Sequence, residues 1–285
     1  MIKRLIAGGK YFLGLHSPGR NVRVFPDDIF LVSYPKSGNT WTRFLIANLV
    51  YPEKNPDFSN INDLMPDPEA MSKRDLERAQ RPRILKSHQY FDPRYQKVIY
   101  VVRDPRDVVL SDYYFDIKLR AIAEDYPKQE FVSRFVSGEL NHPYGTWFEN
   151  AATWFYARRG DPRFLLVKYE ALQSQAMEEM ARIAAFLGIS AAPQRLALAI
   201  EQSSADRMRE LEKKQAHLWS STRETRQDKP FVRSAKAGGW RAELSERSVA
   251  EIELAWGGLM REMGYELASS GLVHAGMGHA GMERR

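Results

Sequence analysis

A chain of 285 residues, 44% of them apolar, can bury a substantial core, and an α/β fold of this length forms as a single domain. Lys and Arg number 42 against 36 acidic residues; the resulting charge of +6 suits an anionic ligand and raises its on-rate without naming it. The absence of cysteine excludes disulfides, thiolate catalysis and Cys-based metal sites, and with no zinc-ligand spacing, aromatic RNA motif or basic run, nucleic acid is not expected as a partner.

The opening "MIKRLIAGGKYFLGL" is broken by Gly8, Gly9 and Lys10 before a signal-peptide core can form. No run approaches the roughly 18 apolar residues of a membrane span. A soluble, cytoplasmic protein is therefore expected, and the lack of cysteine fits a reducing compartment.

Three short apolar runs bounded by turn residues predict buried strands: Ile29–Ser33, Val98–Val102 and Phe164–Val167. Each leads into a helical pattern. After the first, Trp41, Leu45 and Leu49 recur at helical spacing; after the second comes "PRDVVLSDYYFDIKLRAI"; after the third, "EALQSQAMEEMARIAAFLGI" with Gly188 as its stop. Strands alternating with helices predict an α/β fold with a central parallel sheet flanked by helices. Ligands of such sheets bind beyond the carboxyl ends of the strands.

Less regular parts lie between these units. Tyr51–Ala70 carries four prolines and reads as a loop before a short charged helix near Ser72–Gln80. Glu212–Pro230 is polar and reads as a mobile segment. Gly276, Gly278 and Gly281 have the spacing of a dinucleotide-binding fingerprint, but no strand precedes them and the chain ends four residues later. One domain over 1–268 and a flexible tail over 269–285 are expected.

The turn "YPKSGNT" that follows the first strand has the chemistry of an anion site. Backbone N–H groups and the dipole of a helix beginning near Thr40 point at one place. Gly38 lets the backbone approach a ligand. Ser37 and Thr40 add hydroxyls, and Lys36 stands where a leaving oxygen would gain charge. The same residues are also ordinary turn formers. The Walker form is absent. At the end of the second strand, Asp104 can cap the next helix and Pro105 suits its first turn. Arg103 then either meets a ligand or pairs with Asp104 or Asp107. Each of the six histidines has the side chain a general base needs, and a lone histidine is more often a packed or surface residue.

Four segments together resemble the cytosolic-type sulfotransferases, over about Arg23 to Tyr265. "YPKSGNTW" is similar to that family's YPKSGTTW loop, which binds the 5′-phosphosulfate of 3′-phosphoadenosine 5′-phosphosulfate (PAPS). "VIYVVRDPRDVVLSDYYF" resembles its 3′-phosphate motif, "LKSH" its K-[ST]-H segment, and "FVRSAKAGGWRAEL" its FxRKGxxGDWKxxF loop. The resemblance implies sulfuryl transfer from PAPS to a hydroxyl, less readily an amine, of a small-molecule, lipid or glycoside acceptor, leaving adenosine 3′,5′-bisphosphate (PAP).

It also implies the roles. Lys36, Ser37, Gly38, Asn39, Thr40 and Trp41 form the P-loop-like phosphosulfate loop, with Lys36 at the leaving oxygen. His88 is the base and Lys86 assists at the sulfuryl group. Arg103, Ser111 and Arg233 hold the 3′-phosphate, with Ser234 and Ala235 in the same loop. Tyr169, Ser203 and Met208 lie near the adenine. No metal is expected, because lysine, arginine and N–H groups meet the donor's charge.

Departures are visible too. Ser234 and Ala235 replace Lys-Gly, with Lys236 as a candidate substitute; Gly239 replaces Asp, and Ala205 stands where an adenine-stacking phenylalanine belongs. Glu246 and Ala250 break the family's dimer motif, so the oligomeric state stays open. Trp147, Trp154 and Phe155 read as core. Phe91, Tyr113, Tyr114 and Phe115 are candidates for the acceptor pocket or for the core. The alternatives are a P-loop kinase, which would need a Walker lysine and a magnesium-holding acid, and a nucleotide-binding protein without turnover.

Overall fold

A computed structural model describes residues 22–140, 143–219, 222–233 and 235–268; the interrupted N-terminal segment, the C-terminal tail and Ser234 lie outside the described residues. Within them the branched and aromatic runs form β1 (Ile29–Ser33), β2 (Ile84–Ser87), β3 (Lys97–Val102) and β4 (Phe164–Lys168). All pairings are parallel and the order is β2-β1-β3-β4. The expected parallel α/β sheet is present, with one strand more than the sequence predicted. β2 has an apolar run of only two residues before Lys86, so periodicity could not reveal it. Pairing with β1 from Ile29–Ile84 to Val32–Ser87 defines it instead.

Alternation sends each strand's side chains to opposite faces. Phe30, Val32, Leu85, Val98, Tyr100 and Val102 face one core, which Trp147, Trp154 and Trp256 fill from the helices. Ile29, Leu31, Ile84, Ile99, Val101 and Val167 face the other, against Phe44, Leu45, Leu49, Met180 and Ile183. Burial on both faces explains why the strands read as unbroken apolar runs. Trp147 and Trp154 are fully buried, as expected of core; truncating either to alanine would cost about 3–5 kcal/mol.

The helices are α1 (Asn39–Val50), α2 (Ile61–Leu64), α3 (Lys73–Arg78), α4 (Pro105–Leu119), α5 (Lys128–Ser137) and α6 (Trp147–Arg158), followed by α7 (Tyr169–Ser174), α8 (Ala176–Leu187), α9 (Pro193–Gln202), α10 (Ala205–Gln215), α11 (Trp240–Glu243) and α12 (Glu246–Glu262). Asp104 caps α4 by accepting from the Arg106 N–H at 2.9 Å, and Pro105 occupies its first turn. The single helix expected after β4 is two, because the backbone turns away from helix at Gln175; α8 stops at Gly188, which takes φ 76°. Within the polar segment 212–230, expected to be mobile, the described residues make specific contacts with the fold. α10 runs into it, Trp219 and Thr222 are buried, and the buried Lys118 ammonium donates to the carbonyl of Arg226 at 2.8 Å and of Lys229 at 2.5 Å. Among the described residues no helix is long and apolar enough to cross a membrane.

Candidate active site

Each strand delivers one part of a common site at its carboxyl end: the turn 34–38 after β1, His88 after β2, Arg103 after β3 and Tyr169 after β4. Lys36, Gly38, His88, Arg103 and Tyr169 line one cavity of about 580 Å³.

The turn after β1 is built for close approach. Gly38 takes φ 93°, and a β-carbon there would stand 2.4 Å from Cδ2 of Tyr169, so only glycine fits. α1 starts without a side-chain cap, which leaves its first amides for another partner. Ser37 is fully buried and its Oγ has no hydrogen-bond partner; the same holds for Oδ1 of Asn39 and Nε of Arg103. Orphaned polar atoms in one small region are the mark of a site shaped for a polar ligand. The amide of Asn39 donates to Ser33 Oγ at 3.1 Å and to the Leu31 carbonyl at 3.4 Å, tying the turn to β1. Thr40 and Trp41 line the cavity.

Arg103 is held by backbone rather than by acids. Its guanidinium donates to the carbonyls of Lys36 at 3.2 Å and Lys236 at 3.3 Å and lies 4.4 Å over the Tyr169 ring. Asp104 instead pairs with Arg106, and Asp107 accepts from the backbone of Gly238 and Trp240. Ser111, Met208, Ala205, Arg233 and Ala235 also line the cavity. Arg233, however, is paired with Glu243 at 2.9 Å and stacked 4.2 Å over Tyr114. Ala235 takes φ 50°, a left-handed conformation that a glycine would adopt freely. Lys236 gives Arg103 its carbonyl, while its side chain is exposed. Ser203 is fully buried behind the cavity wall: its carbonyl accepts from the Trp41 indole at 2.8 Å and its Oγ from Asn48 at 3.0 Å. Trp41 meets Tyr169 edge to face at 5.5 Å.

His88 has one nitrogen committed. Its Nδ1 lies 2.8 Å from the Ser33 carbonyl, an oxygen that can only accept, so Nδ1 carries the hydrogen and Nε2 the lone pair. Burial, then the Lys86 charge, lowers its pKa to about 3 and keeps the ring neutral. The carbonyl of His88 accepts from Asn150 at 2.9 Å, and the indoles of Trp147 and Trp154 donate to the carbonyls of Arg103 and Gln89, so the core braces both strand ends. Lys36 places its ammonium 3.5 Å from the Phe115 ring centroid and 4.8 Å from that of Phe231. Burial lowers its pKa to about 8 against the pull of Asp112.

Lys86 is bound to Asp67 at 2.8 Å, with Glu69 at 3.9 Å. Neither acid carried a sequence signal beyond "DPE" in a proline-rich loop. Of the aromatic candidates only Phe115 lines the cavity. Phe91 packs edge-on against Trp154, Tyr113 is buried with its hydroxyl on the Tyr126 carbonyl, and Tyr114 bonds Glu243. Trp219 and Leu119 are further cavity walls that no motif marked; Phe231, the first residue of the "FVRSAKAGGWRAEL" segment, and Tyr144 line it too.

Residues 26–264 match the family model described as Sulfotransferase domain. Sulfotransferase 1E1 of Bos taurus is 28% identical over 232 residues, covering 76% of this chain and 77% of that protein. The 3-beta-hydroxysteroid sulfotransferase of Cavia porcellus is 29% identical over 239 residues, covering 80% and 81%. Among solved structures, mouse sulfotransferase SULT7A1 complexed with PAP superposes with a TM-score of 0.70 at 21% identity, over 97% of this chain and 96% of that one; at that identity the likeness shows the fold.

Proposed function

The chain belongs to the sulfotransferase domain family, and from that premise we propose that it transfers the sulfuryl group of PAPS to a hydroxyl of a small-molecule acceptor, with His88 as the base. The donor supplies an activated sulfuryl group on a phosphate. The amides of residues 38–40, the orphaned Ser37 Oγ and Lys36 hold its 5′ end; Arg103, Ser111 and Arg233 hold its 3′-phosphate. Trp41 and Tyr169 pack against the adenine, with Met208 behind it and nothing aromatic at Ala205. Ser203 serves by fixing Trp41 rather than by contact. Nε2 of His88 takes the acceptor's proton while Lys36 offsets the charge on the departing phosphate oxygen. The donor's anionic charge also raises the pKa of His88 from its low value in the free protein, bringing it nearer the working range of a base.

The observation that carries this reading is the locked tautomer of His88, which lines one cavity with Lys36, Gly38, Thr40 and Arg103, the last with its buried Nε unpaired. No helix of the described residues spans a membrane, and a cytoplasmic setting is where PAPS chemistry of this type is expected. Calorimetric titration with PAP, 5′-AMP and ATP, with and without magnesium, tests the donor. Metal-independent preference for PAP over 5′-AMP is expected. Preference for ATP with magnesium would replace this reading with the kinase.

A further inference from the structure

The mechanism above leaves one charged cluster unused. Lys86 and His88 are two residues apart where β2 ends, so their side chains emerge on the same side, and both line the cavity. The loop before β2 is pinned there, since the Lys86 N–H donates to the Pro66 carbonyl at 2.9 Å. That contact brings Asp67 onto the Lys86 ammonium at 2.8 Å, with Glu69 at 3.9 Å. Asp67 is 6% exposed, and its other oxygen accepts from the Glu69 N–H at 3.0 Å. Glu69 in turn hydrogen-bonds Tyr144, whose ring packs 5.6 Å from that of His88. Lys86, Asp67, Glu69 and Tyr144 thus form a chain of contacts that ends on the imidazole.

The charges facing that imidazole are unbalanced. Lys86 and Lys36 are cations in the same cavity, and Arg43 from α1 adds a third near Asp67. The acids are Asp67, which the Lys86 and Arg43 charges hold ionised against burial, and Glu69, which burial pushes towards its protonated form. A ring that takes a proton here becomes a further cation among cations. Of the two acids Asp67 is the ionised one, and its charge favours the protonated ring, so neutralising it should slow the step that makes the imidazolium by roughly tenfold or more.

We propose that Asp67 is a positioning residue of the reaction: its carboxylate, fixed on Lys86, is the countercharge to the imidazolium that His88 becomes. In that step Nε2 takes the acceptor's proton as the acceptor oxygen bonds to sulfur. The bond from sulfur to the phosphate oxygen breaks, and the electron pair stays on that oxygen. This assignment rests on His88 being the base.

The test compares the wild-type chain with Asp67→Asn, Asp67→Glu and His88→Ala. PAP affinity is measured by calorimetry, and PAP release from PAPS is followed with a series of phenols from acidic (4-nitrophenol) to weakly acidic, with water as the last member. An acceptor already ionised needs no base, so the loss must grow as acceptor acidity falls. For Asp67→Asn we expect PAP affinity within about twofold, kcat down more than tenfold on the weak acids but less than threefold on 4-nitrophenol, and substantial recovery in Asp67→Glu. An equal loss across the series, no loss, or a matching loss of PAP affinity would overturn the proposal. His88→Ala with full activity on the weak acids would instead sink the base itself, whatever Asp67→Asn does.

Discussion

The ammonium of Lys36 sits 3.5 Å from the ring centroid of Phe115, a cation held by an aromatic face inside the donor cavity, and burial there brings its pKa down to about 8. A bound phosphate raises that value again. The complex therefore binds more protons than the free protein between the two pKa values, and affinity must fall as pH rises through that window. PAP should bind with uptake of a fraction of a proton near pH 8.5 and with little uptake at pH 6. Calorimetry in buffers of different ionisation enthalpy reads this directly, and uptake that persists unchanged in Lys36→Met would assign it elsewhere.

His88 gives the opposite pH signature. With its pKa at about 3 in the free protein, it stays neutral through the assay range, so kcat/KM should show no imidazole limb on the acid side above about pH 5. The donor's charge moves the limb of kcat to higher pH than that of kcat/KM. His88→Ala should lower kcat by about 10²–10⁴ while leaving PAP affinity within about twofold, because in the proposed reaction the ring acts on the acceptor's proton and not on the nucleotide. A pH–rate series on both parameters checks the pair, and an acid limb of kcat/KM near pH 6.5 would contradict the buried, locked ring.

Gly38 and Tyr169 form a steric pair across the turn. A methyl at Gly38 would lie 2.4 Å from Cδ2 of Tyr169 with the backbone at φ 93°. The left-handed backbone alone costs about 1–2 kcal/mol for a residue with a β-carbon, and the ring must also swing into the space assigned to adenine. Gly38→Ala should weaken PAP binding at least tenfold in the wild-type chain and by a smaller factor in a Tyr169→Ala background, measured against Tyr169→Ala alone. An equal factor in both backgrounds would mean the strain, and not the ring, is responsible.

Much of this was readable from residues because local chemistry announced it. The turn 34–40 carries its own small residues, lysine and helix start, and Asp104-Pro105 marks the helix after β3 by capping rules that need no tertiary context. What the sequence hid is what pairing creates. β2 exists because four residues hydrogen-bond to β1, although only two of them are apolar in succession, and its end sets His88 and Lys86 side by side. The acids that meet Lys86 come from a loop about twenty residues earlier, where nothing but a proline-rich spelling marks them. Ser203, read from the sequence as part of the adenine region, is buried behind the cavity wall with its carbonyl on the indole of Trp41, a contact only the fold creates. Segment 212–230 looked mobile because its surface residues are polar, while a single buried lysine, Lys118, anchors its far end.

Arg233 shows how a motif residue can be present and still be engaged elsewhere. Its guanidinium is bound to Glu243, and the same carboxylate also accepts from Tyr114 and Lys128. These contacts hold Glu243 well into its ionised form, at a pKa of about 2, although burial works against them. A 3′-phosphate that recruits Arg233 must therefore compete with Glu243, at a partly exposed pair where such contacts are worth up to about 1 kcal/mol. Glu243→Gln should tighten PAP by up to about fivefold and leave 5′-AMP, which lacks the 3′-phosphate, unchanged. Arg233→Ala should reduce the preference for PAP over 5′-AMP and make the Glu243→Gln change silent. Equal tightening of both nucleotides would show that Glu243 acts through general charge, and that Arg103 and Ser111 hold the 3′-phosphate without it.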